Sequence, residues 1–146
     1  MADLMSKTAL VTGGGTGIGF GIAAKLMEAN AQVTIAGRRE DVLNEAAERL
    51  DASVSSSGNI KVVCCDVTDA LAVRNAVEVA ANDKGVLDIA VANAGIGAGG
   101  PFLTMTDETL RSVLEVNVVG AFNTIQAAAE LSLIHISEPT RPSSIS

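Results

Sequence analysis

The sequence predicts a doubly wound α/β fold: a parallel sheet in the strand order 3-2-1-4, truncated after strand 4, with helices on both faces. Three observations carry this. Short apolar runs alternate with segments of helical periodicity four times between Lys7 and Glu130. The third run, Ile60 to Asp66, is nearly continuous in apolar residues, as strands buried on both faces are. A glycine-rich turn joins the first strand to the first helix, as it does at the ligand edge of such sheets.

The elements follow in order. Lys7 to Thr12 is the first strand, and Gly17 to Ala29 the first helix, with Ile18, Ile22 and Leu26 on one face. Gln32 to Gly37 is the second strand. Arg39 to Leu50 is the second helix, its inward residues Leu43, Ala46, Ala47 and Leu50. The Ser-rich stretch Ala52 to Asn59 reads as a loop. Ile60 to Asp66 is strand three. Asp69 to Asn82 is helix three, with Val73, Val77 and Ala80 inward and Thr68 or Asp69 as its N-cap. Leu87 to Ala92 is strand four, followed by a glycine-rich loop from Gly95 to Pro101. Thr106 caps a further helix through Leu110, Val113 and Leu114, with Glu108 in its first turn. The pattern continues past Phe122 and Ile125 to about Glu130.

The 146 residues suffice for one domain with a real core. A net charge of −7 argues against a nucleic-acid or anionic-membrane surface, which needs clustered Lys and Arg. No apolar run approaches a membrane span, and Met1 to Lys7 lacks the basic-then-apolar order of a signal peptide. A cytoplasmic protein is expected. Cys64 and Cys65 are neighbours in a strand and point to opposite faces, so they neither pair nor share a metal; both read as buried structural thiols. His135, the single histidine, has no partner arrangement for a triad or a metal site, and no metal is expected.

The turn Thr12-Gly13-Gly14-Gly15-Thr16-Gly17-Ile18-Gly19 holds five glycines in eight positions. A plain strand-to-helix turn needs one glycine; more of them add unfolded-state entropy that folding must overcome. Bare backbone lets a pyrophosphate approach closely, and the helix N-terminus stabilises its charge. The spacing is neither G-x-G-x-x-G nor a phosphate loop, since Phe20 and not Lys follows Gly19. It is Thr-Gly-x-x-x-Gly-Ile-Gly, and here the chain resembles the short-chain dehydrogenase/reductase family. The resemblance covers Ser6 to about Glu130 and implies a Rossmann-like domain. It assigns Thr12, Gly13, Thr16, Gly17, Ile18 and Gly19 to a nicotinamide dinucleotide.

Four later positions continue the resemblance. An acid at the end of strand two bonds the adenosine ribose and favours NAD, whereas a base accommodates the extra phosphate of NADP. Here Gly37 stands at the strand end with Arg38 and Arg39 after it. NADP is therefore favoured and NAD remains open, because Glu40 and Asp41 could instead pair with the two arginines. Asp66, with Val67 beside it, matches a family position that accepts a hydrogen bond from the adenine amino group; a helix-capping Asp is the alternative. Asn93-Ala94-Gly95 resembles the family signature that steadies the sheet and leaves room beside the cofactor, with Ala92 replacing the Asn often found before it. Asn117, in Asn-x-x-Gly, reads as a buried helical amide in need of partners. The resemblance places it in a catalytic proton relay.

The family's chemistry uses a Ser and a Tyr-x-x-x-Lys, and this chain has no tyrosine. The resemblance thus implies a parent oxidoreductase, a homo-oligomer, that moves a hydride between nicotinamide and a small carbonyl or alcohol substrate. This chain by itself is expected to be inactive, a dinucleotide-binding fragment or a gene-model artefact. Residues 1–130 form an incomplete nucleotide-binding domain. Leu131 to Arg141 resembles the in-frame translation of a sequencing adaptor, so 131–146 is expected to be a non-native or disordered tail.

Overall fold

In a computed structural model of the chain, residues 3–53 and 60–137 are described. The strands β1 (Thr8–Thr12), β2 (Gln32–Gly37), β3 (Ile60–Cys64) and β4 (Ile89–Val91) form one parallel sheet in the order β3-β2-β1-β4. The helices are α1 (Gly17–Glu28), α2 (Glu40–Ser53), α3 (Ala70–Ala80), α4 (Asp107–Leu114) and α5 (Gly120–Ser137). A 3-10 turn at Phe102–Thr104 precedes α4, and a π turn at Glu115–Val119 joins α4 to α5.

Strand alternation divides the core. In β1 every residue is buried. Ala9 and Val11 pack with Ala23 and Met27 of α1 and with Leu43, Ala46 and Leu50 of α2. Leu10 points the other way, into a cluster with Val73, Ala76, Val77 and Ala80 of α3 and Ala127 of α5. Two helices on each face of a central strand is the doubly wound arrangement that the alternation predicts. No helix among the described residues is long and apolar enough to cross a membrane.

Several expectations need correction. The buried stripe of α1 is Gly19, Ala23 and Met27, one position on from the predicted Ile18, Ile22 and Leu26, and Ile18 is 78% exposed. The helix turns this way because Gly19 sits against Gly13 and Asn93, where no side chain fits. β3 is an edge strand ending at Cys64, so Lys61 and Cys64 are exposed while Cys65 is buried. β4 has only three residues and leaves Ala90 exposed, because among the described residues only β1 pairs with it. Ala52 and Ser53 close α2, and the rest of the expected loop, 54–59, lies outside the described residues.

The last helix does not stop near Glu130. It runs to Ser137, with Leu131 half-buried against the α3 side of the core and Glu130 paired with Arg74 at 3.3 Å. Contact with α3 supports the helix there whatever the origin of these residues. The remaining expected tail, 138–146, lies outside the described residues.

Candidate functional site

All four strands end at one edge of the sheet, and the turn after β1 is built there by close packing. The Gly13 N–H donates to the Ala36 carbonyl at 2.7 Å, which carries the β1–β2 pairing one residue into the turn. Gly13 has φ +67°, and a Cβ on it would lie 2.9 Å from the Ala94 Cα. A Cβ on Gly14 would lie 2.6 Å from Ile35 Cγ2. A Cβ on Gly19 would collide with the Gly13 carbonyl oxygen and with Asn93 Nδ2. These glycines are dictated by backbone approach and conformation.

Asn93 fastens the turn. Its Nδ2 donates to the carbonyls of Thr12 at 3.0 Å and Gly13 at 3.3 Å. The buried Thr12 hydroxyl accepts from the N–H groups of Asn93 and Ala94, both at 3.1 Å, and donates to the Val91 carbonyl at 3.3 Å. The signature after β4 thus holds the turn after β1. Helix α1 then starts at this edge without a side-chain cap from Thr16. By contrast, the Asp69 carboxylate accepts from the Leu71 and Ala72 N–H groups of α3, and Thr106 Oγ1 accepts from the Thr109 N–H of α4.

A groove of about 170 Å³ runs along the strand ends. Gly13, Gly15 and Thr16 line it after β1, Gly37, Arg38 and Arg39 after β2, Cys65, Asp66 and Val67 after β3, and Ala94, Gly95 and Ile96 after β4. Val42 and Leu43 of α2 and Val116 of the π turn complete the wall. The structure therefore brings together Gly13, Thr16, Arg38, Arg39, Asp66, Val67, Ala94 and Gly95 of the expected set. Thr12, Gly19 and Asn93 stand behind the groove as its support. Gly17 and Ile18 do not line it; Gly17 has φ +55° and open space where a Cβ would be.

The charges follow from local geometry. Asp66 Oδ1 accepts from the Thr68 N–H at 3.0 Å and the Thr68 hydroxyl at 2.8 Å. These bonds, with the Arg38 charge nearby, hold its carboxyl below the ordinary carboxylate value. Burial, then the nearby Asp66 and Asp69, pushes the Cys65 thiol up to about 11, so it stays protonated at neutral pH. Arg38 and Arg39 are exposed, and among the described residues neither is paired with a carboxylate, Glu40 and Asp41 included. Those two acids instead open α2, where they complement the helix dipole.

Asn117 differs from expectation. It is exposed, and its amide bonds the loop after β4 and not its own helix. The Ile96 N–H donates to Asn117 Oδ1 at 2.8 Å, and Asn117 Nδ2 donates to the Ile96 carbonyl at 3.0 Å. The residue lies within the π turn, a distortion frequent at functional sites. Sequence reasoning missed Gly15, Gly37, Val42, Leu43, Cys65, Ile96 and Val116 as groove residues. The two glycines, one in the turn after β1 and one at the end of β2, were a usable signal; the other five carried none.

Comparison with known proteins agrees with this fold. Residues 7–137 match the family described as short chain dehydrogenase. The chain is 39% identical over 129 residues to the oxidoreductase asL5 of Sarocladium schorii, covering 88% of this chain and 49% of that protein. It is 38% identical over 125 residues to the L-2,3-butanediol dehydrogenase of Corynebacterium glutamicum, covering 86% and 48%. A crystal structure of a short-chain type dehydrogenase/reductase from Mycobacterium marinum superposes with a TM-score of 0.82 at 38% identity, over 91% of this chain and 53% of that one. The chain spans about half the length of the curated relatives it matches. By its matched residues, its strand order and its glycine turn clasped by Asn93, the chain belongs to the short-chain dehydrogenase family.

Proposed function

We propose that this chain is the dinucleotide-binding part of an oxidoreductase that moves a hydride between a nicotinamide cofactor and a small carbonyl or alcohol substrate, with NADP as the cofactor. The observation that carries the cofactor choice is the end of β2. Gly37 occupies the position where an acid would bond the ribose, and Arg38 and Arg39 border the groove with no carboxylate partner among the described residues. A guanidinium can engage a ribose phosphate through two parallel N–H donors.

The residues present fit a dinucleotide. Cβ-free backbone at Gly13 and Gly15, which line the groove, and an uncapped α1 N-terminus suit a pyrophosphate. Asp66 keeps Oδ1 on Thr68, and among the described residues Oδ2 accepts nothing, so it can take a hydrogen bond from an adenine amino group. Ala94 and Gly95 leave room beside the cofactor, and Asn117 fixes the loop after them through Ile96. A bound nicotinamide supplies or accepts the hydride. In this reading Asn117 also belongs to the proton relay of the longer protein.

The chain as it stands has no tyrosine and therefore no Tyr-x-x-x-Lys. This favours a second, compatible reading: alone, it binds the nucleotide without turning over substrate. The test is equilibrium binding of NADP and NAD to the chain and to Arg38→Ala. The wild type should prefer NADP by about tenfold or more, and the variant should lose that preference. An unchanged ratio removes Arg38 from its role, and a chain that binds neither nucleotide removes the reading. Hydride transfer to any carbonyl by the isolated chain would overturn the second reading.

A further inference from the structure

Asn123 is buried in α5, at 9% exposure, and does not line the groove. Its Nδ2 donates to the Val67 carbonyl at 2.9 Å, across 56 residues of sequence. Three residues earlier on the same helix, Gly120 lies so close to Val67 that a Cβ there would be 2.5 Å from Val67 Cγ2. Three residues earlier again, Asn117 holds both backbone groups of Ile96. The π turn and the first turns of α5 therefore grip two of the loops that line the groove.

The segment that Asn123 grips is bonded internally. Asp66 Oδ1 binds the N–H and hydroxyl of Thr68, and the Asp69 N–H donates to the Asp66 carbonyl at 3.1 Å. Asp66, Val67 and Thr68 are thus locked to one another, and Val67 is 6% exposed. The hydrogen bond from Asn123 anchors this rigid turn to the helix beneath it. The place of Val67 therefore constrains where the Asp66 carboxylate stands.

We infer that Asn123 is a positioning residue for the adenosine half of the nucleotide, acting through the Val67 carbonyl to set where Asp66 stands in the groove. The inference rests on the nucleotide-binding reading above. It assigns to a buried amide on α5 an effect on affinity at a loop that it reaches only from behind. Removing the donor leaves the Val67 carbonyl unpaired in the interior, and the turn relaxes away from the geometry that binds adenine.

Two measurements on the full chain test this. In the first, NADP binding is titrated by calorimetry with wild type, Asn123→Leu and Asn123→His. Leucine keeps the approximate size and lacks a donor; histidine returns an N–H at similar reach. Asn123→Leu should bind about tenfold more weakly, and Asn123→His should recover most of that loss. In the second, the wild-type side-chain amide resonances are followed by NMR as NADP is added. The Asn123 amide protons should shift with the binding curve, while those of the exposed Asn44 on α2 should not. This measurement needs no variant and decides the matter if both substitutions fail to fold. Unchanged affinity in a folded Asn123→Leu, or an Asn123 amide that ignores a saturating nucleotide, overturns the role of Asn123 alone. A wild type that binds no NADP overturns it together with the reading beneath it.

Discussion

Thr12 and Asn93 hold each other reciprocally. The Asn93 side chain donates to the Thr12 carbonyl at 3.0 Å, and the Thr12 hydroxyl accepts from the Asn93 N–H at 3.1 Å. The same hydroxyl also serves Ala94 and Val91. Thr12→Val keeps the shape and removes these bonds, leaving the Ala94 N–H without its acceptor and the Asn93 N–H with the Val91 carbonyl alone, at 3.1 Å. The variant should lose about 1–3 kcal/mol in urea unfolding. A loss below a few tenths would mean that the clasp contributes nothing.

The glycines of α1 offer a matched pair. Gly21 has nothing within 4 Å of a Cβ position, so Gly21→Ala should stabilise the protein by about 0.5–1 kcal/mol through helix propensity. Gly19→Ala has the same propensity gain but meets the Gly13 carbonyl and Asn93 Nδ2. It should destabilise the fold and weaken nucleotide binding together. Equal thermal midpoints for the two variants would refute the steric account.

Helix α3 depends on its cap. The Asp69 side chain accepts from Leu71 N–H at 2.9 Å and Ala72 N–H at 3.2 Å. Asp69→Ala should cost about 1 kcal/mol, and Asp69→Ser should restore most of it. Chemical denaturation of the three proteins checks the order.

Asp88 gives the fold an acid-sensitive contact at the amino ends of β1 and β4. The Lys7 ammonium at 2.9 Å, then the Thr8 N–H at 3.0 Å, lowers its carboxyl below the ordinary value. A depressed carboxylate stabilises the folded state above the unfolded value of about 3.9 and loses that contribution as pH falls through the folded value. Wild type should therefore exceed Asp88→Asn in stability at pH 7, with the gap closing below about pH 4. A gap that stays constant from pH 7 to pH 3 would refute the linkage.

The outer edge of β4 has backbone groups that β1 does not pair, and Ala90 is exposed there. An open strand edge is a template for association. The isolated chain should associate as its concentration is raised, which sedimentation across a concentration series checks. A sedimentation coefficient that stays monomeric through the series would contradict this.

The sheet order was legible because β1 and β2 are marked by short apolar runs with turn residues after them, and the structure keeps β2 at its expected bounds. What escaped was set by tertiary contacts. The buried stripe of α1 depends on Gly19 touching Gly13 and Asn93, which no periodicity within the helix reveals. The π turn adds no composition signal, so Glu115–Val119 read as ordinary helix and Asn117 as a buried amide. Cys64 looked interior because β3 is apolar, yet position at the sheet edge decides exposure. In the groove, glycines and charges at strand ends were readable. Asn123 was not, since a lone Asn in an apolar helix shows nothing of the carbonyl it will meet.

The clasp between Thr12 and Asn93 spans 81 residues of sequence. Synthesis therefore delivers the glycine turn long before the side chain that closes it. Until Asn93 arrives and β4 has docked on β1, the Thr12 and Gly13 carbonyls have no such donor and Gly19 has no seat. Closing a loop of this length costs entropy before the contact repays it. A ligand that binds the cradle therefore favours the state in which this long loop is closed.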